Sequence, residues 1–259
     1  MEEKQYTYKY PHPAVTADNV IFSFDGKDLN ILLIKRNIEP FKGAWAFPGG
    51  FMNIDETIEQ CAKRELQEET NFKAERMEQL MCFSSVYRDP RERVITIAFL
   101  ALVKKQEVQA GDDAAQAKWF KLKDVPALAF DHDYILRVAL QKLKERIYFE
   151  PICFDLLDKE FTMTELQTLY EAILGVHFDR RNFFKKMLSW GILNKVKDEF
   201  NNTSNLDESF AIDFSNSYIN TNNTDLKQQH RKRHGNAFLY TFNREHYEEK
   251  KQDNFRLEF

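Results

Sequence analysis

The sequence predicts an α/β domain followed by a second domain of the winged helix-turn-helix class. Paired β-rich runs, and an acidic helix that follows a glycine-rich loop, predict the first domain. Two short helical segments separated by glycine, with a basic stretch before a later β-rich run, predict the second domain. Pro151 follows the last helix predicted in the first half, so we place the domains at residues 1–150 and 151–259.

The composition fits two ordinary domains with hydrophobic cores. The chain has 259 residues, 43% of them hydrophobic, and its net charge of −4 provides no global basic field toward nucleic acid or a membrane. Any contact with DNA therefore has to use local patches. Cys61, Cys82 and Cys153 lie far apart with no CxxC spacing, which predicts reduced, buried thiols in a cytoplasmic protein. No apolar run approaches the length of a membrane span, so no membrane contact is expected.

The β-rich runs predict the strands of the first domain. Val15–Phe24 and Leu29–Arg36 are expected to form a hairpin, because Asp25-Gly26 between them is a good turn signal. Further strands are predicted at Met81–Val86, Val94–Val103 and Lys118–Leu122. From Asp131 to Ile147, apolar side chains recur at helical spacing, which predicts an amphipathic helix that covers the sheet.

The stretch from Phe47 to Phe72 predicts a loop followed by about four helical turns. Asp55 offers an N-cap, and neither proline nor glycine interrupts the residues from Glu56 to Thr70. Asn71 tolerates the left-handed conformation that closes a helix. We therefore expect the helix to end at this asparagine.

Three glutamates near the end of this helix, Glu65, Glu68 and Glu69, lie on its apolar side. A helix that only faced solvent would put them on the other face, and the helix dipole is already negative at this end. Something positive must offset them, and clustered carboxylate oxygens suit Mg²⁺ or Mn²⁺. For three glutamates alone, an acidic solvated helix end is the alternative interpretation.

Glycines and arginines add a second set of candidate residues. Gly49 and Gly50 would let the backbone approach a ligand closely, so that the Gly49 carbonyl could join a metal shell; a tight turn is the alternative. Between two predicted strands, residues 87–93 carry three arginines whose guanidinium groups match phosphate oxygens, although arginines are also common at surface hairpins. The predicted substrate-binding residues are Arg36, Arg88, Arg91 and Arg93.

The spacing from Gly50 through Glu56 to the segment Arg64–Phe72 resembles the signature of the Nudix hydrolase superfamily, with Asn71 in place of its last glycine. The resemblance implies an α/β/α sandwich with a mixed sheet and a pyrophosphohydrolase that uses Mg²⁺ or Mn²⁺. It implies the catalytic residues Glu56, Arg64, Glu65, Glu68 and Glu69 and the metal ligands Gly49, Glu65, Glu68, Glu69 and Asp113. Glu65 and Asp113 both stay open as the general base.

The opening at residues 10–16 and the segment 87–93 resemble ADP-ribose pyrophosphatase-like Nudix domains. This resemblance implies a substrate in which a nucleoside diphosphate is joined to a sugar, such as ADP-ribose.

The second domain begins with a capping box at Thr162–Glu165, and its first helix is expected to stop at Gly175. Asp179 then caps a second helix that closes at Gly191, which makes a helix-turn-helix candidate. An ordinary surface helix is the alternative interpretation. The DNA-binding residues predicted on this second helix are Arg180, Arg181, Asn182, Lys185 and Lys186.

A basic β-hairpin is predicted to follow the second helix. Its strands are expected at Gly191–Val196 and Ala237–Phe242, and Arg231, Lys232 and Arg233 would contact backbone phosphate as a wing. Between the strands, a polar insertion near 198–229 is rich in Asn, Ser and Thr.

The combination of both domains resembles the Nudix-related transcriptional regulators, the NrtR and AraR-like group. This resemblance implies a homodimer that binds an operator in double-stranded DNA and senses ADP-ribose or a sugar. Two functions stay open: a metal-dependent hydrolase coupled to regulation, and a non-catalytic sensor.

Overall fold

The computed structural model describes residues 8–111, 114–196 and 238–252. Its strands are β1 (Ala14–Phe24), β2 (Leu29–Arg36), β3 (Trp45–Ala46), β4 (Gly49–Phe51), β5 (Glu78–Phe83), β6 (Val94–Lys104), β7 (Ala114–Lys121), β8 (Phe161–Thr162), β9 (Leu193–Lys195) and β10 (Leu239–Phe242). Its α-helices are α1 (Ile58–Thr70), α2 (His132–Ile147), α3 (Met163–Leu174), α4 (Arg180–Ser189) and α5 (Arg244–Gln252). None of these helices has the length and apolar character needed to cross a membrane.

The larger sheet is organised around β1. Its order is β3-β2-β1-β6-β5, with β4 paired to β1 and β7 paired to β2. β1 runs parallel to β6 over its whole length but antiparallel to β2 and β4, so the sheet is mixed, as predicted. The predicted hairpin turn is also confirmed, and Gly26 supplies its positive φ of 89°.

The two faces of β1 pack against different helices. Because side chains alternate along a strand, Ala17 and Ile21 face α1, where Ala17 joins the apolar cluster of Cys61. Val20 lies on the opposite face and shares a core with Ile135 of α2. The described part of the first domain is therefore an α/β/α sandwich, in agreement with the sequence.

The start of α1 differs from the prediction. The N-cap is Thr57 rather than Asp55, because the Thr57 hydroxyl accepts the Gln60 N–H and the Gln60 side chain accepts the Thr57 N–H. Glu56 lies outside the helix, and its carboxylate accepts hydrogen bonds from the Asn53 N–H and from Arg64. A reciprocal capping box thus sets the first turn two residues later than expected.

The strand predicted at Met81–Val86 is wrong in its bounds, since β5 spans Glu78–Phe83. The carbonyls of Ser84 and Ser85 accept hydrogen bonds from the Arg93 guanidinium instead of joining the ladder with β6. β7 begins earlier than predicted, because it pairs with β2 as far as Arg36. Side-chain hydrogen bonds and strand pairing decided these limits. Cys82 of β5 is exposed, so the prediction of a buried thiol is wrong there, whereas Cys61 and Cys153 are buried as predicted.

The second domain contains the predicted helix pair. The capping box between Thr162 and Glu165 begins α3, and Gly175 ends it with a φ of 73°. The Asp179 carboxylate accepts the Asn182 N–H at the start of α4. Within the described ranges, this domain also contains a small antiparallel sheet of order β8-β10-β9. The helix pair and this sheet together form a winged helix-turn-helix fold. Strand β8 and helix α5 were not predicted.

Some predictions concern residues outside the described ranges. They are Asp113, the polar insertion near 198–229, and the wing residues Arg231, Lys232 and Arg233. The predicted strand Ala237–Phe242 is described only from residue 238, and β10 occupies its second part.

One hydrophobic core extends through both parts of the chain. It includes Leu136 of α2, Leu166 of α3, Phe183 of α4 and Tyr247 of α5. A 3-10 helix at Ile152–Leu156 carries this core from the first half into the second. The separation at residues 150 and 151 therefore remains a prediction about sequence organisation, because apolar contacts continue across it.

We predict that the end of α1 depends on the left-handed conformation of Asn71, which has φ 52° and ψ 22°. Asn71→Gly should leave the free energy of unfolding within about 0.5 kcal/mol of the parent, whereas Asn71→Ala should lower it by roughly 1 kcal/mol, because a Cβ without a local polar partner disfavours this region. Urea denaturation measures both values. Equal stability of the two variants would contradict the assignment.

Candidate functional site

A cleft of about 250 Å³ lies where the first half of β1, the glycine loop, α1 and the first turn of α2 meet. From α1 it receives Arg64, Glu65 and Glu69, and from the glycine loop Gly49 and Gly50. Arginines and aromatic rings line the same cleft. They are Arg36, Phe51, Arg88, Arg91 and Phe130. The cleft therefore brings acidic and basic groups together.

Arg64 lies at the centre of the acidic group. Its guanidinium donates two hydrogen bonds to Glu56, at 2.6 and 2.9 Å, which forms a bidentate pair. It also contacts Glu65 at 2.8 Å and Glu68 at 2.9 Å. Hydrogen bonding to Arg64 lowers the pKa of Glu56 to about 2. The positive charge that these glutamates require is thus supplied in part by the same helix.

Glu65 and Glu69 are the more buried of the three glutamates near the end of the helix. Burial raises the pKa of Glu69 to about 8, and burial also raises the pKa of Glu65. The Gly49 N–H donates to Glu69 Oε2 at 2.8 Å, so this glycine meets the acid through its amide. A Cβ on Gly50 would overlap the Glu65 carboxylate. The glycine loop therefore lies directly against both acids, as a close backbone approach requires.

The acids fit a hard divalent cation by the chemistry of their donors. Carboxylate oxygens from Glu65, Glu68 and Glu69 are of the type that Mg²⁺ and Mn²⁺ prefer, and burial disfavours the unneutralised anions. With the side chains oriented as they are, no three His, Cys, Asp or Glu residues of the described ranges converge closely enough to hold a metal. The reason is visible in the contacts, since Arg64 holds Glu65 and Glu68 while Glu69 turns toward the Gly49 amide.

The four predicted substrate-binding arginines have different surroundings. Arg36 and Arg91 lie on the side wall of the cleft, where Arg91 pairs with Asp89 at 2.7 Å. Arg88 is buried in the floor, with 3% of its side chain exposed. Arg93 does not line the cleft, since its guanidinium binds carbonyls of the loop that follows β5. The cleft therefore brings together three of the four.

Arg88 belongs to a buried polar network that the sequence analysis did not identify. Its guanidinium donates to Asp131 at 2.8 and 3.1 Å and to Asp18 at 3.3 Å. His132 lies beside Asp18, and its Nδ1 accepts the Phe47 N–H at 3.0 Å. Burial lowers the pKa of His132, which favours the neutral ring that this acceptor role requires. The network ties β1, the glycine loop and the start of α2 together.

A signal for part of this network was present in the sequence. Asp18 is an ionisable residue in the middle of an apolar strand, and such a residue needs a partner when the strand is buried. The sequence predicts Asp131 only as the start of a helix. In the structure α2 does begin after it, but its side chain makes no cap hydrogen bond. Its actual partner, Arg88, is 43 residues away in the chain, so local sequence rules could not find it.

The second candidate surface is the exposed side of α4. Phe183 and Met187 are buried and attach this helix to the core. The predicted DNA-binding side chains of the helix are all exposed: Arg180, Arg181, Asn182, Lys185 and Lys186. α4 thus carries four cationic side chains on a solvent-facing surface that is anchored from behind.

Family comparisons agree with both parts of this description. Residues 12–140 match the NUDIX domain, and residues 153–205 match the NrtR DNA-binding winged helix domain. The protein is therefore a Nudix domain joined to a winged helix.

Known proteins also resemble the chain over most of its length. It is 34% identical over 195 residues to the "ADPR responsive transcriptional repressor NtrR" of Acinetobacter baylyi, which covers 72% of this chain and 77% of that protein. The crystal structure of Shewanella oneidensis NrtR complexed with a 27mer DNA is 26% identical, has a TM-score of 0.63, and covers 88% of this chain and 93% of that one. The chain belongs to the NrtR family of Nudix-related regulators.

A relative of the first domain alone is an enzyme. The ADP-ribose pyrophosphatase of Methanocaldococcus jannaschii is 47% identical over 128 residues, which are 49% of this chain and 73% of that protein. The Nudix part of the chain is thus similar both to a regulator and to a hydrolase.

We predict that Arg88 is required for stability. Arg88→Met should lower the free energy of unfolding by roughly 3–5 kcal/mol, because two largely buried carboxylates, Asp18 and Asp131, lose their partner. The matched control Arg137→Met changes an exposed side chain of α2 and should stay within about 0.5 kcal/mol. Denaturant unfolding measures both. Similar effects of the two substitutions would contradict the role of the network.

Proposed function

We propose that this protein is a regulator that binds a nucleoside diphosphate joined to a sugar, most simply ADP-ribose, in its Nudix cleft. In this proposal the cleft hydrolyses the pyrophosphate with Mg²⁺ or Mn²⁺, and the winged helix binds an operator in double-stranded DNA as part of a homodimer in the cytoplasm. The observation that supports this proposal most directly is the cleft, which is lined both by the acids of α1 and by Arg36 and Arg91. The named relatives, an ADPR-responsive repressor and an ADP-ribose pyrophosphatase, support the same ligand.

The residues that would hold the metal are Glu65, Glu68 and Glu69, together with Gly49 and Asp113. When bound, the ion would offset pyrophosphate charge and lower the pKa of a water molecule. Arg64 would position the glutamates, and its bidentate pair with Glu56 fixes its own orientation. Glu65 and Asp113 are the two candidates for the general base.

Arg36 and Arg91 would contact the phosphates. Both line the same cleft as Glu65 and Glu69, and a guanidinium fork matches phosphate oxygens. Arg88 would support the floor of the cleft without binding phosphate directly, because its guanidinium already donates to Asp18 and Asp131. Arg93 would support the loop through the carbonyls of Ser84 and Ser85 and would reach the substrate only if this loop moved.

The non-catalytic sensor is the second candidate function, and a specific observation favours it. Arg64 donates a hydrogen bond to Glu65 and another to Glu68, and the Gly49 N–H donates one to Glu69, so groups of the chain itself balance part of the acidic charge. A cleft with this charge balance could bind a ligand without turnover. The two candidates differ in whether AMP is released, so they can be separated by a product assay.

We predict that Glu69→Gln abolishes most of the hydrolysis. Incubation with ADP-ribose and Mn²⁺ should release AMP, and the substitution should lower the rate by about 100-fold, because a buried carboxylate of the ligand set is lost. Glu59→Gln, which changes an exposed residue of the same helix, should match the parent. If the parent releases no AMP, the hydrolase is contradicted and the sensor remains as the candidate. If Glu69→Gln behaves like the parent, the assignment of the acids fails.

We predict that α4 reads the operator. Arg181→Ala or Lys185→Ala should reduce the preference for operator over unrelated duplex, because each lost base contact costs roughly 1–3 kcal/mol. Lys142→Ala, an exposed residue of α2, should leave this preference unchanged. Fluorescence anisotropy with both duplexes measures the ratio. Unchanged ratios for all variants would mean that α4 does not enter the major groove.

The proposed wing should respond differently in the same assay. Replacing Arg231, Lys232 and Arg233 with alanine should weaken binding to both duplexes about equally. It should also lower the slope of log affinity against log salt concentration by roughly one unit for each lost phosphate contact. A loss of affinity for the operator alone would instead assign these residues to base recognition.

A further inference from the structure

Helix α5 lies along the connection between α4 and β9. Asn243, which precedes α5, donates its backbone N–H to the Ile192 carbonyl at 2.8 Å and its side-chain amide to Asn194 Oδ1 at 3.3 Å. Its own Oδ1 accepts the His246 N–H at 3.0 Å, as the side chain of an N-cap does. The start of α5 is therefore fixed to the first residues that follow α4.

The other end of α5 reaches the end of α4. The Lys250 ammonium donates a hydrogen bond to the Trp190 carbonyl at 2.6 Å, in a partly buried position. Trp190 is the C-cap of α4, which spans Arg180–Ser189. The next residue, Gly191, has a φ of 67°, and a Cβ there would lie 3.3 Å from the Lys250 ammonium. The lysine thus lies beside the helix end, in space that the glycine leaves open.

The hydrophobic core holds α5 in this place. Tyr247, in the first half of the helix, has 3% of its surface exposed and belongs to the core that contains Phe183 and Met187 of α4. Its ring also meets the Phe242 ring of β10, with 5.9 Å between the centroids. Because this side chain anchors the helix, Lys250 approaches the end of α4 from a fixed element.

A cation at the end of α4 has a clear physical role. The last carbonyls of an α-helix have no partner within the helix, and the helix dipole is negative there, so an ammonium group stabilises this end. The Leu188 carbonyl accepts the Gly191 N–H, which is a local contact. The bond from Lys250 to Trp190 joins residues 60 positions apart. It therefore fixes where the end of α4 lies relative to the rest of the domain.

The position of this end controls the exposed basic side of α4. The helix has 10 residues. It is therefore about 15 Å long, and a tilt of about 10° at its last turn would displace its first turn by about 2.6 Å. Hydrogen bonds to base edges need donor–acceptor distances close to about 2.9 Å, whereas attraction to phosphate falls only slowly with distance. A tilted α4 should thus lose discrimination between DNA sequences before it loses affinity for DNA in general.

We propose that Lys250 is a positioning residue for DNA recognition, and that α5 acts through it as a clamp on the end of α4. This inference rests on the proposed function, because it requires that α4 reads the operator. It adds a residue outside the recognition helix and the proposed wing, since α5 lies beyond residue 205, where the match to the winged helix domain ends. Lys250 contacts no base in this role and acts through the position of α4.

Two neighbouring lysines of α5 provide the test. Lys250→Met removes the ammonium that binds the Trp190 carbonyl, and the control Lys251→Met removes the same charge from an exposed position. Lys250→Arg keeps a cationic donor. The probes are a duplex that the full-length parent enriches from a randomised DNA pool and an unrelated duplex of equal length. Fluorescence anisotropy over a salt series measures both affinities, and hydrogen exchange measures the amides at the end of α4.

Lys250→Met should weaken binding to the enriched duplex about tenfold, roughly the effect of one lost base contact. Its affinity for the unrelated duplex should stay within about twofold and its salt slope should not change, because no phosphate contact is lost. Lys250→Arg should bind the enriched duplex within about threefold of the parent, and Lys251→Met should bind both duplexes within about twofold.

Hydrogen exchange reports on the helix itself. The Gly191 amide should exchange faster in Lys250→Met than in the parent or in Lys251→Met, because the last turn of α4 opens more often. Thermal unfolding verifies that each variant is folded, and Lys250→Gln replaces Lys250→Met if the latter does not fold.

Three results would overturn the inference. Equal losses of affinity in Lys250→Met and Lys251→Met would assign the effect to net charge. Weaker binding to both duplexes, with a salt slope lower by about one unit, would make Lys250 a phosphate contact. Unchanged exchange at the end of α4 would show that the lysine does not hold this helix. The proposed function stands in all three cases, whereas a parent that enriches no duplex would remove DNA recognition and the positioning role with it.

Discussion

The burial of β1 on both of its faces is the constraint on which the rest of the structure depends. One face packs against α1 and the other against α2, while β2, β4 and β6 pair with its edges. An ionisable residue on such a strand has to be paired, and Asp18 therefore fixes the positions of Arg88 and His132. The floor of the cleft follows from this requirement.

The acidic end of α1 is stabilised by groups of the protein itself. Arg64 bridges Glu56, Glu65 and Glu68, and the glycine loop donates an amide to Glu69. The same oxygen atoms form a donor set for a divalent cation. Because groups of the protein balance part of this charge and a cation could balance the rest, the presence of every glutamate does not separate a hydrolase from a sensor. Turnover has to be measured.

Helix α2 belongs to the cleft and to the shared core at the same time. Its first turn contributes His132 and follows Phe130 and Asp131, whereas its apolar face lies in the core that also holds α3 and α4. Helix α4, which carries the exposed arginines and lysines, is thus packed on the same core as Phe47, which lines the cleft. A ligand that shifts the start of α2 would act on packing that α3 and α4 share.

The sequence by itself determined the elements whose signals are local. The capping box at Thr162, the left-handed turn at Asn71 and the spacing of the glutamates after Gly50 depend on neighbours a few residues away, and each was found. Tertiary structure alone decided the partners of Arg88, the limit of β5 and the ring contacts of Arg91. Arg88 and Asp131 are 43 residues apart, Arg93 bonds the carbonyls that follow β5, and the Arg91 guanidinium lies over the Phe51 and Phe130 rings only in the folded cleft. Such contacts depend on how strands and helices are packed, and no local pattern encodes that packing.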